Sequence, residues 1–121
     1  MSPTTILLIL FLVGGGVLIG TSIPLVLGRI GPNPWYGFRV RRALEDPAVW
    51  YPVNAYSGRW LIGAGVAEIV VATALYFVPD LEIAVYAAIV GGVTVAVLVI
   101  GFVQSLRYVH RLTKEKETAT P

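Results

Sequence analysis

Cysteine is absent from the sequence, and histidine occurs once, at His110. The first absence excludes disulfides, thiolate metal sites and a cysteine nucleophile, and it leaves the redox compartment open. A single imidazole makes no metal site, so His110 reads as a helix-end or solvated residue. The serines at positions 2, 22, 57 and 105 cannot be assembled with that histidine into a Ser/His/Asp arrangement. No phosphate-binding loop of the Gly-x4-Gly-Lys kind occurs, since Gly14-Gly15-Gly16 lies inside an apolar run. Charge is scarce too, at 13% of 121 residues, against about 25% in an ordinary soluble domain. Neither enzymatic chemistry nor a cofactor or metal is expected. The basic segment is too short and too aromatic to suggest a nucleic-acid domain.

What is present is apolar: 56% of the residues are hydrophobic, with a mean hydropathy of +0.77. One small core cannot bury that much apolar surface, so lipid is the expected solvent. The reading is an all-α membrane protein forming one domain over residues 1–121, with spans at about 6–27, 60–78 and 83–106. An inner loop of 29–58 and a tail of 107–121 complete it. The first run carries no charge and is long enough to cross ~30 Å of hydrocarbon at ~1.5 Å per residue. Met1 to Thr5 holds no basic residue, which favours a retained helix over a cleaved signal. Pro24 is expected to bend the inner end of this helix. Pro79 ends the second span, and Asp80 is the expected N-cap of the third. Glu117 to Pro121 are expected to lack regular structure.

The basic residues orient the chain. Arg29, Arg39, Arg41 and Arg42 fall in the first connection, Arg59 at its edge, and Arg107, Arg111, Lys114 and Lys116 in the tail. The second connection holds only Asp80 and Glu82. The positive-inside bias then places the N-terminus outside and the loop and tail on the inner, cytoplasmic side of the cell's inner membrane. Trp35, Tyr36, Trp50, Tyr51, Tyr56 and Trp60 form the expected inner aromatic belt, with Tyr76, Phe77 and Tyr86 at the outer one.

Within the loop, Gly31-Pro32-Asn33-Pro34 breaks the chain, and Gly37 sits where a bulky side chain would block a tight turn. Asp46-Pro47 starts a short interfacial helix with Val49, Trp50 and Val53 near one face, and Pro52 and Ser57-Gly58 allow a bend before the membrane. Arg39, Arg41 and Arg42 suit lipid phosphates or an acidic partner, or simply set topology. Arg39 is also placed to brace its turn through backbone carbonyls or Asp46. Asn54 needs its amide satisfied, and a bond back to the Asn33–Phe38 segment is the leading reading. Trp35 and Trp50 read as interfacial anchors and possible partner contacts.

The order Pro32-Asn33-x3-Gly37-x-Arg39, then Trp50-x3-Asn54-x3-Gly58, resembles the signature of the SdpI family of small bacterial membrane proteins, over about residues 32 to 65. The resemblance implies a protein that acts by binding a peptide or another membrane protein, in immunity against a secreted killing peptide or in membrane signalling. Two other readings stand beside it: a structural or assembly subunit of a larger membrane complex, and a small transporter or proton path using Glu68.

Glu68 is the one ionisable side chain at membrane depth. Asn54, Gly58, Leu61, Gly65, Glu68 and Ala72 share a helical stripe, small and polar enough to pack on other helices. Glu68 is therefore expected to face the glycines of the first span and the Gly91-Gly92-Val93-Thr94 segment of the third. Arg59 falls on the opposite face. A neutral acid bonded across helices is the expected state.

Overall fold

A computed structural model describes residues 1–119 as four helices: α1 (Pro3–Val26), α2 (Arg41–Glu45), α3 (Pro47–Tyr76) and α4 (Ile83–Ala119). Three of them, α1, α3 and α4, are long and apolar enough to cross a membrane. α1 starts where Ser2 Oγ accepts the Thr5 amide at 3.1 Å, with Pro3 just inside the helix. It runs through Pro24 and stops at a glycine cap. Gly28 adopts φ +69°, its amide bonds Leu25 O, and the Arg29 amide bonds Pro24 O at 2.9 Å. That pairing is a Schellman motif, which a side chain with a Cβ would strain.

α3 differs from expectation. Asp46 caps it, accepting from the Ala48 amide at 3.0 Å, but no break in the helix separates a short interfacial helix from a span. One helix of 30 residues runs from Pro47 to Tyr76, through Pro52, Ser57 and Gly58. The loop therefore ends at Asp46 rather than residue 58, and its short helix is α2. Gly58 serves packing: a Cβ there would meet Val26 Cγ2 at 2.9 Å and Ser22 O at 3.2 Å on α1.

α4 is also longer than expected. Its 37 residues continue through the polar tail to Ala119, so Glu117 to Ala119 are helical; Thr120 and Pro121 lie outside the described residues. Asp80 is not its N-cap. It occupies a turn with φ +59°, a conformation aspartate tolerates, and Glu82 O accepts the first helical bond, from Tyr86 N at 2.9 Å.

α3 lies between the other two long helices, and α1 and α4 touch little. The α1–α3 seam closes at two glycines. A Cβ on Gly65 would lie 2.6 Å from Gly15 O, and one on Gly15 would lie 2.8 Å from Gly65 O. On the other side of α3, Trp60 covers Gly101 of α4, and Tyr86 Oη donates to Ala72 O at 2.9 Å. Such close packing and interhelical bonding are what hold helices together in lipid, where apolar burial gives no drive.

A hydrocarbon core of ~30 Å takes up about 20 helical residues. Counted from the Asp80–Glu82 end, that places Pro47 to about Tyr56 and about Val103 onward beyond the hydrocarbon. There the chain builds a second kind of core. Ala43, Val49, Trp50, Val53 and Val109 are buried together, with Ile30, Phe38, Val40, Tyr108 and Leu112 packed around them. In this wetter zone apolar burial does contribute, at about 1.5–3 kcal/mol for a side chain such as Val53, which is fully enclosed.

Candidate functional site

All nine Lys and Arg residues gather at this end of the bundle, the end where loop, α2 and the α4 tail meet. Asp46 accepts an ion-paired hydrogen bond from Lys116 of the tail. Tyr56 stacks on Tyr108 with ring centres 4.7 Å apart, and Arg111 lies over the Tyr108 ring. The Lys116 ammonium, and after it the Ala48 amide, hold the Asp46 carboxyl below its usual range. Arg41 pairs with Glu45 one turn away at 2.9 Å, which raises its pKa further. The N-terminus of α1 lies at the opposite end, where Thr5 Oγ1 and Tyr76 Oη are 2.9 Å apart.

The loop is held shut by its polar residues. Asn33 alone makes four bonds within its own turn. Its Nδ2 donates to Gly31 O and Tyr36 O, and its Oδ1 accepts from the Trp35 and Tyr36 amides. Arg39 Nη1 donates to Pro34 O across the same turn; Asp46, the other partner expected for it, is taken by Lys116. Asn54 Oδ1 accepts the Phe38 amide, and its Nδ2 donates to Trp50 O. Gly37 lies against both α3 residues with φ +115°, and a Cβ there would meet Asn54 Oδ1 at 2.6 Å and the Trp50 ring at 3.1 Å. Asn33, Gly37, Arg39, Trp50, Asn54 and Gly58 thus form one clasp that docks the loop on α3 and α3 on α1, while Pro32 is exposed at the start of its turn.

Trp50 does not sit in an interfacial belt. It is 0% exposed, and its indole Nε1 donates to Ile30 O at 2.7 Å. The tail of α4 and the loop cover it, so it contacts neither lipid headgroups nor a partner. Trp35 is the reverse, 86% exposed at the tip of the Asn33 turn. Arg41 and Arg42 are exposed on α2.

Glu68 is 8% exposed in the α1–α3 seam. Its Oε1 lies 3.3 Å from where a Gly14 Cβ would stand, so it faces α1 two residues from Gly16. The expected approach to the third span does not occur. Gly91 and Gly92 have open surroundings, and Thr94 returns its hydroxyl to Val90 O in its own helix. Among the described residues no hydrogen bond reaches Glu68, so the carboxyl is not bonded across helices.

Sequence reasoning missed a cavity of about 680 Å³ between the docked loop and the α3–α4 pair. Phe38 and Val40 of the loop, Ser57, Trp60 and Leu61 of α3, and Leu98, Phe102 and Ser105 of α4 line it. The four-residue steps Ser57 to Leu61 and Leu98 to Phe102 were a weak signal for two facing helix stripes.

These features define an all-α membrane protein with three membrane-crossing helices and a docked, motif-bearing loop at its basic end. The chain belongs to the SdpI/YfhL protein family, whose model matches residues 29–108, from the start of the loop well into α4. No curated protein and no solved structure matches it.

Proposed function

We propose that this SdpI-family protein works by binding, without chemistry of its own, and presents its basic end to a peptide or protein partner at the cytoplasmic face of the bacterial inner membrane. The role is peptide immunity or membrane signalling, with the N-terminus outside and the C-terminus in the cytoplasm. The observation that carries this reading is the pairing of a rigid clasp with exposed groups. The turn that carries Trp35 is fixed by four Asn33 bonds, and the exposed arginines of α2 follow it in the chain, over a core that lies outside the hydrocarbon. A preordered aromatic and arginine surface loses little freedom on binding, as an interaction surface should.

The test is photocross-linking from position 35 in native membranes. A discrete adduct that is competed by the wild-type chain and lost in Arg41→Gln/Arg42→Gln supports the reading. Adducts to phospholipid alone count against it. A second reading, an assembly subunit, draws on Gly16, Gly20, Gly63, Gly91 and Gly92, which all face open space where another helix would fit. A stoichiometric larger complex in native mass spectrometry after gentle extraction would favour it.

A further inference from the structure

The cavity beside the clasp has the layout of a lipid site. Its walls are Phe38 and Val40 from the loop, Trp60 and Leu61 from α3, and Leu98 and Phe102 from α4. Its volume of about 680 Å³ falls within the ~300–1,000 Å³ usual for small-molecule sites. It runs along the bundle axis. Trp60 packs on Gly101 near the hydrocarbon boundary, and Leu98 lies about one helical turn deeper. The side is open, since Phe102 is 56% exposed. An acyl chain of the surrounding leaflet can enter without crossing a polar barrier.

The mouth is cationic. Arg39 lines it with an exposed side chain, and among the described residues only its Nη1 is engaged, by Pro34 O. A guanidinium carries five N–H donors in a fork that matches a phosphate. Among the described residues no carboxylate lines the cavity. At this end nine basic residues face four acidic ones, Glu45, Asp46, Glu115 and Glu117, and two of the four are paired with Arg41 and Lys116. The hydroxyls of Ser57 and Ser105 donate to their own helix, at Asn54 O and Gly101 O, so they offer a ligand acceptor oxygens only.

We propose that this groove binds one anionic phospholipid of the inner leaflet, its phosphate on Arg39 and one acyl chain between Phe38 and Phe102. The ligand belongs to the bilayer, and the surface around Trp35 is left to the partner proposed above. A failed cross-link at position 35 therefore leaves this site untouched, and the reverse also holds.

The experiment is native mass spectrometry of the full chain released from micelles with added phosphatidylglycerol or phosphatidylcholine of equal chain length, and separately with inorganic phosphate. One phosphatidylglycerol should be retained, about fivefold or more over phosphatidylcholine, and inorganic phosphate should not. Arg39→Gln should remove that preference and Arg39→Lys should weaken it, whereas Arg107→Gln keeps it. Leu98→Trp should expel the lipid with Arg39 intact, which separates loss of the site from a loosened turn. Equal retention of the two lipids, retention of inorganic phosphate alone, or equal effects of Arg39→Gln and Arg107→Gln would each overturn the proposal.

Discussion

The amide of Phe38 donates to Asn54 Oδ1 at 2.6 Å, a bond that spans 16 residues of sequence. Asn54 is 1% exposed and sends its other amide atom to Trp50 O at 3.0 Å. One side chain thus joins the loop to the helix that must carry it. Backbone polar groups at the edge of a membrane need partners from the protein, because hydrocarbon supplies none.

Asn54→Leu keeps the side chain near its original size and removes both bonds. The Phe38 amide is then left without its partner, at a cost of about 1–3 kcal/mol. The three long helices should persist while the loop lifts off α3. Amide exchange at Phe38 and proteolysis between residues 29 and 46 should both speed up. Unchanged protection at Phe38 would show that the clasp does not depend on this amide.

Gly65 and Gly63 form a matched pair two residues apart. A Cβ on Gly65 would collide with Gly15 O at 2.6 Å and Ile19 Cγ1 at 2.8 Å, whereas one on Gly63 meets nothing within 4 Å. Gly65→Ala should part α1 from α3 and destabilise by about 1–3 kcal/mol. Gly63→Ala should be neutral or stabilising by up to about 1 kcal/mol, because alanine is the better helix former. Thermal unfolding in a mild detergent checks both. Equal effects would argue against a tight α1–α3 seam.

The three membrane-crossing segments, the basic asymmetry and the stripe from Asn54 to Ala72 were legible because each depends on local pattern alone. The continuity of α3 was not. Ser57-Gly58 carries the composition of a bend, and only the presence of Val26 and Ser22 opposite shows that the glycine makes room for a neighbour. Trp50 was misread for a related reason. A lone tryptophan near a span looks interfacial, but α4 extends beyond the membrane far enough to bury it. A trace of that extension was readable: Ser105, Val109, Leu112 and Lys116 follow helical spacing and turn one face toward α3. The lipid-sized cavity had no sequence signature, since it arises from three separated segments meeting.

The absence of cysteine makes topology directly measurable. Single-cysteine variants at Arg41, Lys114 and Asp80 should divide into two groups. Positions 41 and 114 should react with an impermeant maleimide only after the cytoplasmic side is opened, and position 80 should react in intact cells. The positive-inside bias demands this result, because every basic side chain lies at one end. Labelling of positions 41 and 114 from opposite sides would be incompatible with the fold.

The tail of α4 should dock in a pH-dependent way. Lys116 holds the Asp46 carboxyl below its usual pKa, and the Ala48 amide adds to this. A carboxyl depressed in the folded state contributes its full stabilisation above its unfolded pKa of about 3.9, and loses it as pH falls through the lower folded value. Amide exchange in residues 109–119 should therefore be constant from pH 7 to about 5, after correction for intrinsic rates, and rise relative to the rest of α4 below pH 4. Both partners are partly solvated, so the effect should shrink in high salt. In Lys116→Gln the acid-induced loosening should be weaker, because the main cause of the shift is gone; Asp46→Asn should abolish it and also weaken the cap of α3. A tail that loosens as pH rises from 5 to 7 would have the wrong sign for an Asp46 contact.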